Sequence, residues 1–275
     1  MFERKAWWIT GASSGLGAAM ARSFAAAGAS VILSGRNEAA LHDVAAVCKG
    51  ESLILPFDTT DFEALPSIVE RAWGWASERA QGVYGLVNNA GISQRSLAVE
   101  TAFDVYRRII DIDLMAPIAL TQLMLPRMSA IGCGQLVAIS SVAGLLGAPL
   151  RSAYSAAKHG LVGYHDSLRA ETDHIGIKVL VVAPGSVRTN VSRNALGATG
   201  EARGFSDDAI EQGMNADTAA DRIRDAVLGG VRELILAEGT EAEMAALRRS
   251  DPDALFDLAA KMIASGYAAK LGAAR

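Results

Sequence analysis

The feature that most constrains the fold is a regular alternation of short apolar runs with longer helical patterns. The apolar runs are nearly uninterrupted, which predicts strands buried on both faces, at residues 5–10, 30–34, 52–57, 85–88, 134–140, 178–183 and 233–237. Helical patterns lie between them, at residues 16–27, 38–49, 63–79, 102–128, 153–175 and 217–230. This alternation predicts an α/β fold in which helices cover both faces of a parallel sheet of about seven strands.

Domain organisation follows from the absence of any Pro/Gly/Ser linker or internal repeat in the 275 residues. We predict a single domain over residues 1–275, with a core at residues 1–185 and a substrate flap at 186–215. A helical extension is expected at 241–275. Its apolar stripe predicts docking on the core or on a partner subunit, with a membrane-surface helix as the alternative. The stripe consists of Leu255, Leu258, Ala259, Met262 and Ile263.

The composition excludes several classes of protein. A net charge of −4 leaves no basic excess, so no nucleic-acid partner is expected. Two cysteines are too few for a disulfide framework or a zinc site. The longest apolar stretch, residues 136–150, is too short and too broken by Ser, Gly and Pro to span a bilayer. With no leader visible before the first strand, we expect a cytoplasmic protein without a membrane span or a metal.

A glycine-rich turn, Thr-Gly-Ala-Ser-Ser-Gly-Leu-Gly at residues 10–17, joins the first strand to the first helix. Glycine lets a backbone turn sharply and approach a ligand, and a helix N-terminus attracts a pyrophosphate. A glycine cluster alone also suits a simple turn, but its place between strand and helix favours a Rossmann-like dinucleotide site. The predicted contacts are Gly11, Ser13, Ser14, Gly15, Leu16 and Gly17.

The end of the second strand distinguishes between nicotinamide cofactors. NAD-binding sheets usually place an acidic residue here to hold the ribose diol, but this chain has Gly35 and Arg36. A carboxylate would repel a 2′-phosphate, whereas a guanidinium attracts it and binds it bidentately. We therefore predict NADP(H) rather than NAD, held by Arg36 and Asn37. Alternatively, Arg36 stacks on the adenine, which would serve either cofactor.

Tyr154 and Lys158 are four residues apart on a predicted helix, which places both side chains on one face. An ammonium beside a phenol favours the phenolate, so the phenol can exchange a proton with a carbonyl or alcohol oxygen. Such a pair alone more often belongs to an ordinary half-buried helix face. Its position within the other motifs favours the catalytic interpretation.

These residues and four further motifs together resemble the short-chain dehydrogenase/reductase family over about residues 5–240. The further motifs are Asp58 after the third strand, Asn-Asn-Ala-Gly at 88–91, Ser141 thirteen residues before Tyr154, and Pro-Gly-Ser-Val-Arg-Thr at 184–189. The resemblance implies further cofactor contacts from Asp58, Thr59, Asn89, Ala90, Gly91, Pro184, Gly185, Val187 and Thr189, with Tyr154 and Lys158. It also implies a homodimer or homotetramer built on the helices at 102–128 and 153–175.

The resemblance implies hydride transfer between the nicotinamide and a carbonyl or secondary alcohol. Tyr154 would exchange the proton, Ser141 would donate a hydrogen bond to the same oxygen, and Lys158 would hold the nicotinamide ribose. Ser140 should point to the opposite face of its strand. A non-enzymatic nucleotide-binding regulator on the same fold is the alternative, disfavoured because the three catalytic positions are intact.

Asp113 departs from the family, which usually has an asparagine there that fixes a water linked to the lysine. A carboxylate still accepts hydrogen bonds from water but cannot donate. We predict a surviving proton path with an altered pH optimum. The alternative is that Asp113 is only a polar helix residue near the site.

The substrate pocket is predicted to be apolar, which suits a small hydrophobic alcohol or ketone. Its apolar lining is expected from Ile92, Leu145, Leu146, Leu150 and Val191. Arg151 and Arg193 should border it, either as anion contacts or as solvated charges on its rim. The four histidines suggest no metal site, and His42, His165 and His174 are expected on exposed helix faces.

Overall fold

The computed structural model describes residues 1–270, whose centre is one sheet of seven parallel strands. The strands are β1 Ala6–Thr10, β2 Ser30–Ser34, β3 Ser52–Ile54, β4 Val83–Asn88, β5 Gly134–Ile139, β6 Ile177–Pro184 and β7 Glu233–Leu236. Their order across the sheet is β3-β2-β1-β4-β5-β6-β7. The order reverses between β1 and β4, so the predicted doubly wound α/β fold is confirmed, and ligands are expected outside the carboxyl ends of these two strands.

Helices cover both faces of the sheet. They are α1 Gly15–Ala26, α2 Glu38–Val47, α3 Leu65–Ser77, α4 Phe103–Ile110, α5 Ala116–Ile131, α6 Ser152–Thr172, α7 Asp208–Glu211, α8 Ala216–Leu228, α9 Gly239–Ser250, α10 Pro252–Ala264 and α11 Tyr267–Lys270. A π-helical turn, Asp111–Met115, joins α4 to α5 without interruption, as expected from the single helical pattern at 102–128.

Alternate residues of β1 show how the sheet separates two hydrophobic layers. Trp7 and Trp8 are both fully buried, but strand geometry sends their side chains to opposite faces. Trp7 packs against Phe2 and Phe24 on the face that α1 and α8 cover, with ring centroids 4.7 and 4.9 Å away. Trp8 lies on the face of α3 and α5 and donates a hydrogen bond of 2.8 Å to Ser34 Oγ. The nearly uninterrupted apolar strands are therefore explained by burial on both sides.

Two local predictions are wrong. The third strand was expected to reach residue 57, but its regular pairing ends at Ile54. Leu55 N and Phe57 N still donate to Leu33 O and Gly35 O, at 2.9 and 3.2 Å. Between them Pro56 fixes φ at about −65°, away from the extended values of a parallel strand. His165 was expected on an exposed helix face but is fully buried. It lies four residues after Leu161 and three before Leu168, on the face of α6 that packs against the sheet.

One continuous helix within residues 1–270, Phe103–Ile131, is long and apolar enough to cross a bilayer by length and composition alone. About 39% of its apolar window is buried within the fold. A core helix of a water-soluble protein meets the same criterion. The absence of a membrane span therefore stays a prediction.

The C-terminal helices dock on the loop that follows β5. Leu255 of α10 and Ala245 of α9 are buried together with Val142 and Leu146. Of the predicted apolar stripe only Leu255 is buried, and Leu258 remains 38% exposed. Positions 271–275 of the predicted extension lie outside the described residues.

Candidate active site

The glycine turn between β1 and α1 is packed too closely for any larger residue. Gly11 has φ of 66°, and a Cβ there would lie 2.9 Å from Ala90 Cα. A Cβ on Gly17 would lie only 2.2 Å from Gly11 O. Because the first helical turn sits directly on the strand end, its free N–H groups border the adjoining cleft. This is the arrangement that holds a pyrophosphate in dinucleotide-binding sheets.

Thr10 and Asn89 fasten this turn to the end of β4. Thr10 Oγ1 accepts hydrogen bonds from the N–H groups of Asn89 and Ala90, at 3.0 and 3.1 Å. Asn89 Nδ2 donates to Thr10 O at 2.9 Å. The preceding Asn88 instead donates to Thr121 Oγ1 in the buried interior, at 3.0 Å. Of the two adjacent asparagines, the second therefore shapes the cleft.

A cleft of about 600 Å³ opens at this edge of the sheet. It brings together every predicted site residue except one. These residues are Gly11, Ser13, Ser14, Gly15, Leu16, Gly17, Arg36, Asp58, Thr59, Asn89, Ala90, Gly91, Asp113, Ser141, Tyr154, Lys158, Pro184, Gly185, Val187 and Thr189. The exception is Asn37, whose side chain instead caps α2 by accepting from Ala40 N at 3.1 Å. The helix start thus engages the amide oxygen, and a contact between Asn37 and the cofactor stays a prediction.

Arg36 and Asp58 mark one end of the cleft. Asp58 Oδ1 is occupied by Thr60 N and Oγ1, at 2.9 and 2.7 Å, while Oδ2 lies 4.0 Å from Arg36. Burial raises the pKa of Asp58, but the Thr60 hydrogen bonds and the charges of Arg36 and Arg108 outweigh it and hold the pKa below its usual value. Arg108 of α4, which the sequence motifs did not indicate, also lines this cleft. Two guanidinium groups thus face one partly screened carboxylate.

Lys158 reaches the cleft from within the protein. Its side chain is 5% exposed, and its ammonium donates to Ile139 O at 3.0 Å and lies 3.2 Å from Asp113 Oδ2. The same nitrogen is 5.6 Å from the centre of the Tyr154 ring. Burial lowers the pKa of Lys158, but the Asp113 carboxylate outweighs burial and leaves the pKa above its usual value. The lysine is therefore a fixed, charged ammonium beside the phenol.

Asp113 is fully buried in the π-helical turn, so it is not a peripheral polar residue. Its Oδ1 accepts from Ile92 N at 2.9 Å, and its Oδ2 faces Lys158. Gly91 permits this approach, since a Cβ there would lie 2.9 Å from Oδ2. Burial raises the pKa of Asp113, and the attraction of Lys158 opposes it. The carboxylate meets the lysine directly.

Ser140 and Ser141 have different hydrogen-bond partners, although both line the cleft. Ser140 Oγ is buried and donates to Lys158 O at 3.1 Å, which holds α6 against β5. Ser141 Oγ accepts from Ala143 N at 3.1 Å and donates to Pro184 O at 3.3 Å. The second contact is long for a hydroxyl donor, so this hydroxyl can turn to another acceptor in the cleft.

The predicted flap is fastened to the loop after β4. Leu196 exchanges backbone hydrogen bonds with Ser93 and Arg95, at 2.8 and 2.9 Å. Asp207 then binds Arg95 at 2.7 Å and Arg203 at 2.6 Å, and all three side chains are nearly inaccessible. A buried carboxylate between guanidinium groups is a strong tether once formed. The flap therefore forms a wall of the cleft.

The two arginines predicted at the substrate cleft lie outside its lining. Arg151 lies 3.7 Å from Asp207, and Arg193 donates to Gly204 O at 3.3 Å. The predicted apolar lining is also partly wrong: Ile92 and Val191 border the cleft, whereas Leu145, Leu146 and Leu150 do not. Helices α9 and α10 cover the loop after β5, and Leu146 is buried against them instead of lining the cleft. Flap residues replace those leucines, namely Asn190, Asn194, Leu196, Ala202 and Ile210.

No group of three His, Cys, Asp or Glu side chains within residues 1–270 is placed to hold a metal ion. A metal-free reaction remains a prediction. It agrees with the chemistry of Tyr154, Ser141 and Lys158, which offer a proton, a hydrogen bond and a positive charge.

Comparison with known proteins gives one consistent result. Residues 5–199 match the family model described as short chain dehydrogenase. The chain is 37% identical to mouse dehydrogenase/reductase SDR family member 7B over 259 residues, which cover 92% of this chain and 79% of the mouse protein. It is 40% identical to an Anopheles gambiae dehydrogenase/reductase SDR family protein 7-like over 237 residues, covering 83% and 74% of the two chains.

Solved structures give the same assignment. A short-chain dehydrogenase from Streptomyces avermitilis superposes with a TM-score of 0.78 at 31% identity, covering 95% of this chain and 98% of the other. A short-chain dehydrogenase from Sphingobium yanoikuyae in complex with NADPH gives 0.76 at 26% identity, covering 92% and 96%. A metagenomic short-chain oxidoreductase in complex with NADP gives 0.68 at 26% identity, covering 85% and 97%. The chain therefore belongs to the short-chain dehydrogenase family and is an oxidoreductase.

Proposed function

We propose that the protein transfers a hydride between NADP(H) and the carbonyl or secondary alcohol of a small, largely apolar substrate. The observation that carries this proposal is the shared cleft. Tyr154, Ser141 and the Lys158 ammonium border the same space as the glycine turn of residues 11–17. A phenol, a hydroxyl donor and a fixed cation beside a pyrophosphate cradle are what carbonyl reduction requires.

The preference for NADP(H) over NAD rests on charge. Arg36 and Arg108 line the end of the cleft that an adenosine ribose would occupy. Their charges help to hold the pKa of Asp58 below its usual value. A guanidinium group binds a 2′-phosphate bidentately, and two such groups line this end of the cleft. Two of the structural relatives above were solved with NADP or NADPH. Arg36→Ala is expected to raise KM for NADPH at least tenfold and to leave KM for NADH within twofold.

The chain's own groups perform the proton chemistry. A bound nicotinamide supplies or accepts the hydride. Tyr154 would give its phenolic proton to the substrate oxygen during reduction and take it back during oxidation. Ser141 would donate a hydrogen bond to that oxygen as negative charge grows on it. Lys158 would stabilise the phenolate that results, and Asp113 keeps Lys158 charged.

The apolar side chains at the substrate end, Ile92, Val191, Leu196 and Ile210, support a small hydrophobic ketone or alcohol. We propose residues 1–185 as the catalytic core, 186–215 as the substrate flap and 241–275 as the C-terminal extension of one domain. We also propose that the protein is a cytoplasmic homodimer or homotetramer that neither spans a membrane nor binds nucleic acid.

The test is turnover of NADPH and NADH with a panel of ketones of increasing size. Tyr154→Phe removes only the phenolic hydroxyl and should lower kcat by about 10²–10⁴-fold. Its control is Tyr164→Phe, ten positions further along α6, where the hydroxyl meets Gln122 at 3.1 Å instead of the cleft. Nucleotide binding without turnover, unchanged by Tyr154→Phe, would contradict the proposal.

A further inference from the structure

The turn formed by residues 184–187 is held by a side chain from the C-terminal extension. Glu241 lies in the first turn of α9 and is half-buried. Its Oε2 accepts from Ser186 N at 2.6 Å, and its Oε1 accepts from Ser186 Oγ at 2.9 Å. The Glu241 carboxylate thus accepts from both the backbone N–H and the hydroxyl of Ser186, which lies between the cleft residues Gly185 and Val187. Hydrogen bonds to an ionised acceptor are about twice as strong as neutral ones.

Gly185 shows that this contact leaves no room for a side chain. A Cβ at position 185 would lie 2.2 Å from Glu241 Oε2 and 3.0 Å from Ala237 Cβ. Its backbone is not in the left-handed region, so the conformation alone does not demand glycine. An added methyl group would displace the Glu241 carboxylate from Ser186. Gly185→Ala should therefore have the same consequence as loss of Glu241.

The 184–187 turn also contacts the reacting groups. Ser141 Oγ donates to Pro184 O at 3.3 Å, and Val187 lines the cleft. The turn keeps backbone anchors of its own, since Gly185 N donates to Leu236 O and Met214 N donates to Ser186 O, both at 2.9 Å. Loss of Glu241 would therefore loosen the turn without unfolding it. The wall of the cleft would then have to be ordered when the cofactor binds.

We propose that Glu241 is a positioning residue that pre-organises the 184–187 turn for the nicotinamide half of the cofactor. The inference rests on the proposed function, because hydride transfer beside Tyr154 requires the nicotinamide half in the part of the cleft that Gly185 and Val187 also line. Pre-organisation saves the entropy that binding would otherwise spend on ordering the turn. The adenosine half binds at the opposite end of the cleft, near Arg36 and Asp58, and should not depend on Glu241.

The experiment compares two ligands on the full chain. Dissociation constants are measured by isothermal titration calorimetry for NADPH and for 2′,5′-ADP, which carries only the adenosine half. Glu241→Ala and Glu241→Gln should each raise the dissociation constant for NADPH at least fivefold and change that for 2′,5′-ADP less than twofold. Ser186→Ala, which removes one of the two donors, should give a smaller change in the same direction. Glu243→Gln, on the exposed side of α9, is the control and should change neither.

The possible outcomes separate this inference from the proposed function. If the native chain binds neither NADPH nor NADH, the proposed function fails and this inference fails with it. If the native chain binds NADPH and Glu241→Gln binds it equally well, only the inference fails. Equal weakening of both ligands would also overturn it, because a general loss of structure does not distinguish the nicotinamide half. Should Glu241→Ala not fold, the same comparison is made with Glu241→Gln and Ser186→Ala.

Discussion

Asp113→Asn changes one oxygen to nitrogen and removes the charge that faces the Lys158 ammonium. At the observed 3.2 Å, a unit charge pair at an effective dielectric constant of about 20 attracts by about 5 kcal/mol. Asparagine can still accept from Ile92 N through its oxygen, but its NH₂ group would then face another donor. Among residues 1–270, the ammonium would then keep Ile139 O as its one hydrogen-bond acceptor.

The direction of the pH effect follows from the two influences on Lys158. Burial lowers its pKa and Asp113 raises it, with Asp113 prevailing in the native chain. Without the carboxylate burial prevails, so the ammonium loses its proton at lower pH. The high-pH limb of kcat/KM should move to lower pH by at least about one unit, which corresponds to about 1.4 kcal/mol. This is about a quarter of the attraction between the pair.

The assay is the pH dependence of kcat/KM between about pH 6 and pH 11, with saturating NADPH and one ketone. Asp111→Asn, on the same π-helical turn and outside any ion pair in the described residues, is the matched control and should keep the native profile. Urea unfolding at pH 7 should show a loss of at most about 3–5 kcal/mol for Asp113→Asn, because an unpaired ammonium is left buried. Superposable profiles for Asp113→Asn and the native chain would refute the reasoning.

Three further predictions concern the described contacts. Burial raises the pKa of Asp207, but Arg95 outweighs it and the pKa falls to about 2, so its contribution is present above pH 3.8 and lost as the pH falls through 2. As the pH falls over that interval, the native chain should lose about 2 kcal/mol more of its free energy of unfolding in urea than Asp207→Asn loses. At pH 7, Asp207→Asn should be about 3–5 kcal/mol less stable than the native chain. Burial lowers the pKa of His165 to about 4. The neutral imidazole therefore stabilises the fold fully above pH 6.5, and this stabilisation is lost as the pH falls through 4. Across that range the free energy of unfolding should fall by about 3 kcal/mol more for the native chain than for His165→Leu. Equal losses would contradict the lowered pKa of His165. Gly17→Ala places a Cβ 2.2 Å from Gly11 O and should raise the dissociation constant for NADPH more than tenfold. Gly74→Ala has nothing within 4 Å of its Cβ and should leave that constant unchanged, so equal effects of the two substitutions would contradict the packing argument.

Features that depend on near neighbours could be predicted from the sequence. The glycine turn, the strand–helix alternation and the spacing of Tyr154 and Lys158 are all determined by local geometry. In a parallel sheet the carboxyl ends of all strands lie at the same edge, so residues that directly follow the strands lie close together there. For this reason nearly all the predicted cofactor residues line one cleft, although Asn37 turned away to cap its own helix.

Contacts between distant segments could not be predicted, because spacing along a chain does not determine distance in space. Glu241 binds Ser186 55 positions away, and Asp207 binds Arg95 112 positions away. Each contact depends on which face of a helix or loop docks on the core. Docking of α9 and α10 buries Leu146, and packing of α6 against the sheet buries His165. The sequence by itself determined the sheet, the glycine turn and the spacing of Tyr154 and Lys158, whereas tertiary packing alone decided which side chains hold them in place.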